Sequence, residues 1–443
     1  MAFYRDKWFW FVLLSTAIIK LLAGLYLYFL NPLGEQAFIF PDSITYVYPA
    51  QTWLTYGQFW EAVSAAPMLL RTPGYPLFLA LVQIFSNAST WAVVAAQNIL
   101  SLALLIPVYL SARRLAGLIA ARVAALCCAI SVVYFSFSFA ILSELLCTFL
   151  LAWFVYFLLR FLEQPRRSFL AAGAVFLAAA IYVRPAAYYL PFWLVPLLFF
   201  LKPAEYKKTI VAFILPLLVM LGAWHMRNVL VSGYSGFTTV NAYNLYFWNE
   251  DFVAKQQNMT IPQAHIWLGE NLPADFASRS AAQQVHIYRR LAQPWLKSGW
   301  KHKLLHAPKW AAKTLLGTNF VHTSRLLLGA PADDQELNRR ALDQTRLLHA
   351  VYLKTFASKA LLGLSLLQIG LLLLGAAAGL YQFVKKHTPQ AWFLGIYCLY
   401  FWAVGSVFFG AYARFRAPFE FVLCILAGIA AAARLQTQTE RID

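Results

Sequence analysis

Residues 8–30 have the sequence WFWFVLLSTAIIKLLAGLYLYFL, an apolar run as long as a helix that crosses a lipid bilayer. A second run of this kind, LLGLSLLQIGLLLLGAAAGL, occupies residues 361–380. Each run is long enough to span the hydrocarbon core as a single helix. These runs predict an all-α polytopic membrane protein.

The composition excludes a soluble domain. Hydrophobic residues make up 61% of the chain and charged residues only 12%, and the mean hydropathy is +0.60. The net charge of +18 would suggest a nucleic-acid partner in a soluble protein, but much of it lies in short loops where it sets membrane orientation. We therefore expect no nucleic-acid partner. The five cysteines fall inside predicted spans, so we expect neither a disulfide framework nor a cysteine metal site.

The pattern predicts about ten membrane-spanning helices, with both chain ends in the cytoplasm. The predicted spans are 8–30, 91–111, 116–136, 140–160, 168–184, 187–201, 209–226, 359–383, 390–410 and 417–434. Lysines and arginines fall in alternate short loops, as the positive-inside rule requires. Ala-rich stretches in the second and third spans predict close helix packing there.

The spans divide the chain into three parts. Residues 1–226 form a transmembrane module whose first extracytoplasmic loop is 31–90, residues 227–358 form an extracytoplasmic segment, and residues 359–443 return to the membrane. Within the segment, Tyr234–Phe252 has the composition of a loop, and Ala281–Thr314 has the periodicity of a basic amphipathic helix. Such a helix suits anionic lipid headgroups, although a solvated basic face explains the same pattern.

The first extracytoplasmic loop contains the candidate active site. It opens with PDSITY at residues 41–46 and closes with RTPGYP at residues 71–76, which sets Asp42 opposite Arg71. The aromatic residues between them have helix-like spacing and predict amphipathic helices at the membrane surface. A simpler explanation is that Asp42 and Arg71 are solvated loop residues at helix ends.

Further charges are expected at span ends on the same side of the membrane. Together with the first-loop pair, the set is Asp42, Arg71, Glu144, Arg184, Arg227, Arg414 and Arg416. Five arginines against two carboxylates suit an anionic ligand such as a phosphate or diphosphate. His302 and His306 lack further ligands nearby, so we expect no metal site.

These stretches together resemble the GT-C superfamily. The resemblance rests on the lone Asp42, the RTPGYPLFLA string from Arg71, Ser143-Glu144, Arg184-Pro185, WHMRN at residues 224–228 and ARFRAP at residues 413–418. The most similar branch contains the bacterial glycosyltransferases related to dolichyl-phosphate-mannose protein mannosyltransferases and to the lipid A aminoarabinose transferase. The resemblance implies a GT-C-type helix bundle that transfers a sugar, with inversion, from a polyprenyl-phosphate donor. The acceptor would be a glycan, lipid or protein.

The resemblance and the residue chemistry together give each residue a role. Asp42 would be the general base, and Glu144, Tyr46, Tyr75 and Arg227 would bind the sugar or the acceptor. The donor phosphate would be held by Arg71, Arg184, Arg414 and Arg416, which makes a metal and any other cofactor dispensable. The expected location is the lipid bilayer of a bacterial inner membrane, with the site facing the periplasm.

Two other functions use a similar charge pattern. A glycan polymerase or O-antigen ligase also carries a long extracytoplasmic segment rich in Arg and His, but it would not need Asp42. A lipid or sugar transporter or flippase would bind through the same arginines without a reaction. It would be expected to show two similar halves with interrupted spans near mid-membrane charges.

Overall fold

The computed structural model describes residues 3–61, 66–201, 206–329, 353, 355–385, 388–408 and 413–439. Among these residues the regular structure is helical, and an isolated β-bridge joins Trp60 to Pro67. The predicted all-α membrane fold is confirmed. Residues 330–352 of the predicted extracytoplasmic segment lie outside the described residues, as does Tyr412 in the turn before the last helix.

The helices are numbered in chain order. The first nine are α1 (Lys7–Phe29), α2 (Ile44–Tyr56), α3 (Gly74–Ile84), α4 (Thr90–Ala129), α5 (Val132–Ser138), α6 (Glu144–Glu163), α7 (Arg167–Val183), α8 (Leu190–Leu201) and α9 (Tyr206–Ser232). The others are α10 (Val240–Phe247), α11 (Glu250–Gln256), α12 (Ile261–Glu270), α13 (Ala281–Leu316), α14 (Phe320–Leu328), α15 (Phe356–Val384), α16 (Pro389–Ala403) and α17 (Ala417–Thr439). Of the described helices, 6 are long and apolar enough to cross a membrane: α1, α4, α6, α9, α15 and α17. The count of about ten spans stays a prediction.

The second and third predicted spans meet inside α4. The backbone leaves helical geometry at Ala116 and Gly117, and Gly117 has a φ of 81°, which favours a residue without a Cβ. This break separates the predicted spans 91–111 and 116–136. The alanines that follow it are fully buried, and a Cβ on Gly428 of α17 would collide with the carbonyl of Ala120. Small residues therefore let α4 and α17 approach closely, as their spacing predicts.

The first loop and the extracytoplasmic segment contain more helix than the sequence indicates. An amphipathic helix was expected in the first loop and is α2, but the apolar helix α3 was not expected. The prediction of a loop at Tyr234–Phe252 is wrong, because α10 and the start of α11 occupy it. The prediction of a helix at Ala281–Thr314 is confirmed by α13.

Ion pairs mark one end of the bundle. Arg122 contacts Asp6 at 2.8 Å, and Arg114 contacts Glu163 at 2.6 Å. All four residues lie where the prediction puts the cytoplasmic side. The candidate site lies at the other ends of the same helices, before α6 and after α7.

Candidate active site

Two tight turns position the first-loop residues against the bundle. The buried hydroxyl of Ser43 donates to the carbonyl of Ile141 at 2.8 Å and accepts from the N–H of Phe40 at 2.9 Å. These bonds tie the turn that carries Asp42 to the segment that leads into α6. Asp42 thereby comes close to Glu144, the first residue of α6.

Gly74 places Arg71 beside Arg184. A Cβ on Gly74 would lie 2.7 Å from backbone atoms of Tyr182 and Val183, so only glycine lets the start of α3 approach the end of α7 this closely. Arg184 follows α7 with extended backbone, the conformation favoured for a residue before proline. The two guanidinium groups therefore enter the same site from different helices.

Five side chains form one continuous ion-pair network. Arg71 Nη2 lies 2.8 Å from Asp42 Oδ1, and Arg414 Nη1 lies 3.0 Å from Asp42 Oδ2. Arg414 Nε also lies 2.7 Å from Glu144 Oε1. The same Glu144 oxygen is 2.6 Å from Arg184 Nη1. Arg414 thus joins the two carboxylates, and the network contains three arginines against two carboxylates.

Polar contacts fix the orientation of Arg71. Its Nε donates to the Thr45 hydroxyl at 2.9 Å, and its Nη1 donates to the Tyr46 hydroxyl at 3.3 Å. The Tyr46 hydroxyl in turn lies 3.2 Å from the Ser143 hydroxyl, and the Arg71 guanidinium stacks 4.6 Å from the Tyr46 ring centroid. The first turn of α2, which follows Asp42 and Ser43 in the chain, therefore holds the cationic partner of Asp42.

The network is open at one side. Glu144 is 1% exposed and Arg184 12%, whereas Arg414 is 27% exposed and Asp42 34%. Glu144 Oε2 is buried and has no hydrogen-bond partner among the residues that the structure describes, so its capacity to accept a hydrogen bond is unused there. Burial raises the pKa of Asp42, but Arg71 and Arg414 outweigh it, and the pKa of Asp42 is lowered below its ordinary value.

Arg416, which the sequence also assigns to phosphate binding, does not join this network. Its side chain is 1% exposed and its Nε lies 2.6 Å from Oε2 of Glu420, one helical turn into α17. Its Nη1 donates to the carbonyls of Thr314, Leu315 and Gly317 at the end of α13. The sequence pattern did not single out Glu420, although an arginine and a carboxylate four residues apart form a recognisable helical ion pair.

Arg227 and Tyr75 also lie apart from the carboxylates. Arg227 donates to the backbone carbonyls of Met68 and Phe59 at 3.1 and 3.3 Å and thereby holds the end of the first loop against α9. Tyr75 is fully buried, its hydroxyl donates to Gln97 at 2.6 Å, and its ring packs edge-on against Tyr46 at 5.1 Å. Tyr75 supports Tyr46 from behind.

A largely apolar cavity of about 500 Å³ is lined by residues that follow Arg184 in the chain. It begins at Pro185 and Ala186, the residues that follow Arg184, and it lies between α8, α10 and α16. Aromatic side chains line it, namely Tyr189, Trp193, Trp248 and Tyr400. Arg289 of α13 also reaches this cavity.

The sequence matches one family of known proteins. Residues 70–249, less than half of the chain, match the model of the dolichyl-phosphate-mannose-protein mannosyltransferase family. The matched stretch includes Arg71, Glu144 and Arg184, but neither Asp42 nor Arg414. A comparison with curated proteins gave no match.

Solved structures share the fold at low sequence identity. The apo oligosaccharyltransferase of Archaeoglobus fulgidus is 14% identical with a TM-score of 0.53, over 99% of this chain and 52% of that chain. The archaeal oligosaccharyltransferase AglB from the same organism, in complex with an inhibitory peptide and a dolichol-phosphate, is 13% identical with a TM-score of 0.51, over 100% and 52%. ArnT from Cupriavidus metallidurans bound to undecaprenyl phosphate is 12% identical with a TM-score of 0.45, over 95% and 77%. The chain spans about half the length of the oligosaccharyltransferases.

The long apolar helices and the shared fold define a multi-pass integral membrane protein with a GT-C-type fold. The resemblance stated from the sequence is confirmed: residues 70–249 match the dolichyl-phosphate-mannose-protein mannosyltransferase family, and the chain shares its fold with the oligosaccharyltransferase of Archaeoglobus fulgidus.

Proposed function

We propose that the protein transfers a sugar from a polyprenyl-phosphate donor to an acceptor hydroxyl on the extracytoplasmic side of the membrane. The observation that carries this proposal is Asp42, held between Arg71 and Arg414 at the open side of the network. A carboxylate beside a surplus of guanidinium groups supplies both functions that this reaction needs. They are a base for the acceptor and fixed positive charge for the leaving phosphate.

The leaving group is stabilised by cations. As the bond between the anomeric carbon and the phosphate oxygen breaks, negative charge develops on the phosphate. Arg71 and Arg414 lie at the open side of the network. Arg184 contributes a further positive charge on the buried side, where it pairs with Glu144. Guanidinium groups bind phosphate with two parallel hydrogen bonds, so no divalent metal is needed for this step.

Asp42 takes the proton of the acceptor hydroxyl. The acceptor oxygen forms its bond to the anomeric carbon from the side opposite the phosphate, and its proton passes to a carboxylate oxygen of Asp42. A single displacement of this kind inverts the configuration of the sugar. In the free protein the two arginines lower the pKa of Asp42. Because a bound phosphate takes up part of their charge, donor binding raises the basicity of Asp42 before the transfer step.

Glu144 and Tyr46 orient hydroxyl groups. The unpartnered Oε2 of Glu144 accepts a hydrogen bond from a sugar or acceptor hydroxyl, and the Tyr46 hydroxyl beside Ser143 offers a further contact. The aromatic cavity that begins after Arg184 accommodates the first isoprenoid units of the donor. A phosphate on the arginines and an apolar chain in the cavity would then be adjacent.

Reconstituted protein with a polyprenyl-phosphate sugar and excess EDTA tests this proposal. We expect transfer with an inverted anomeric configuration and undiminished rate in EDTA. Loss of transfer that added magnesium or manganese restores would show that a metal replaces the arginines. Binding and flipping of the donor without any transfer would support the transporter alternative.

A further inference from the structure

Helix α13 has an exposed face that combines large apolar and basic side chains. Trp300, Leu304, Leu305 and Leu316 are 52%, 63%, 77% and 52% exposed. Lys297, Lys301 and Lys309 are also exposed, and the Lys301 ammonium lies 5.7 Å from the Trp300 ring centroid. Spacings of three, four and seven residues put Lys297, Lys301, Leu304, Leu305, Lys309 and Leu316 on one side of the helix, and Trp300 lies at the edge of that side.

The helix is basic along its whole length. The stretch Ala281–Leu316 contains Arg289, Arg290, Lys297, Lys301, Lys303, Lys309 and Lys313, and no Asp or Glu. On its inner side, His302 lies 3.2 Å from Asp251, which also attracts Lys303. Lys297, Lys301 and Lys309 thus have no carboxylate on their own helix to offset their charge.

The end of α13 lies on the membrane-spanning bundle. Trp402 of α16 donates from Nε1 to the carbonyl of Ala311 at 3.1 Å, and Ser406 contacts Thr314 at 3.4 Å. The exposed face therefore ends beside the carboxyl end of α16, within the predicted span 390–410. Tryptophan and leucine beside lysine are typical of a helix that lies in the bilayer interface.

We infer that the exposed face of α13 binds the anionic headgroup layer of the outer leaflet. The leucines and Trp300 enter the interface, and Lys297, Lys301 and Lys309 contact phosphates of anionic lipids. An uncharged lipid surface would satisfy the apolar side chains but not the lysines, so the charge favours anionic lipid.

This surface is connected to the candidate active site. Arg416 binds the last carbonyls of α13, and Arg414, two residues earlier, bridges Asp42 and Glu144. Binding of α13 to anionic lipid therefore stabilises the backbone that positions Arg414. This connection rests on the proposed function, whereas the lipid contact itself does not.

An environment-sensitive fluorophore on Leu305→Cys, in a protein without native cysteines, tests the lipid contact without any assay of transfer. Vesicles of phosphatidylcholine, with or without a minority of phosphatidylglycerol, are the probe. We expect phosphatidylglycerol to shift the emission to shorter wavelength, and salt to reverse the shift. The same fluorophore on Gln263→Cys, an exposed position of α12, should not respond.

Charge variants separate this surface from a general effect of charge. Lys297→Gln, Lys301→Gln and Lys309→Gln together should abolish the response. Lys7→Gln, Lys207→Gln and Lys208→Gln remove the same charge at exposed positions elsewhere and should preserve it. An equal loss in both triple variants would overturn the inference. An emission shift that depends on the amount of protein per vesicle, and not on phosphatidylglycerol, would also overturn the inference. That result would identify a second copy of the protein as the partner that covers the exposed face of α13.

Discussion

Arg414 donates from Nη1 to Oδ2 of Asp42 at 3.0 Å, across 372 residues of the chain. The contact joins the loop between α1 and α2 to the turn before the last helix. Since Arg414 also contacts Glu144, loss of its guanidinium would leave a buried carboxylate with one cation fewer. The ends of the chain are thus linked through the candidate active site.

The pH dependence of transfer should reflect this contact. Because its pKa is lowered, Asp42 stays ionised at a pH where an ordinary aspartate, with a pKa of about 3.9, is half protonated. We therefore expect kcat/KM to fall only below that pH. Arg414→Gln removes one of the two cations and should move that acid limb to higher pH. The kcat/KM profile of both proteins is the measurement, and an unmoved limb would contradict the assignment of Asp42 as the titrating base.

Arg71 should control donor affinity. Arg71→Gln removes a charge-assisted contact of roughly 1.5–3 kcal/mol, so the affinity for a polyprenyl phosphate without sugar should fall about 10- to 100-fold. Arg279→Gln, at an exposed ion pair with Asp275 outside the network, is the matched control and should bind normally. If both variants bind equally well, Arg71 does not hold the phosphate.

Arg416 and Glu420 should act on stability and on the position of Arg414. Glu420→Gln leaves a buried guanidinium without its carboxylate and should lower the free energy of unfolding by about 3–5 kcal/mol. Arg416→Lys keeps the charge, but a single ammonium cannot contact both Glu420 and the carbonyls at the end of α13 as the separate nitrogens of the guanidinium do, so kcat should fall while phosphate binding persists. A loss of phosphate binding in Arg416→Lys as large as that in Arg71→Gln would restore the phosphate role for Arg416.

Much of the site could be predicted from the sequence because charged residues are rare in this chain. Asp42, Arg71, Glu144 and Arg184 stand out at the ends of apolar runs, and burying a charge in a membrane protein requires a partner. The sequence alone does not distinguish the roles of Arg414 and Arg416. They are two residues apart in a short turn, and only the folded backbone shows that one faces Asp42 and the other faces the end of α13.

The extracytoplasmic segment was harder to predict than the bundle. Helices α10 and α11 are short and have no long apolar run, and α10 is rich in Asn and Tyr. They are stabilised by packing against α13, a tertiary effect that local composition does not reveal. The break in α4 follows from Gly117, but its position inside a continuous Ala-rich stretch hides it.

The orientation of the protein is testable with single cysteines. In a protein without native cysteines, Gln256→Cys should react with a membrane-impermeant thiol reagent added on the predicted extracytoplasmic side of the membrane, and Lys207→Cys should not. Both positions are exposed, so access to the reagent depends on the side of the membrane. The reverse pattern would put the network in the cytoplasm.

The most direct test of the account is single-turnover transfer by Asp42→Asn, measured together with donor binding. The substitution keeps the size of the side chain and removes proton acceptance, so we predict that transfer falls by about 10²- to 10⁴-fold while donor binding persists. Asp275→Asn makes the same chemical change at an exposed position outside the network and should transfer normally. Transfer by Asp42→Asn at close to the rate of the unsubstituted protein would contradict the account, and the role of base would then pass to Glu144.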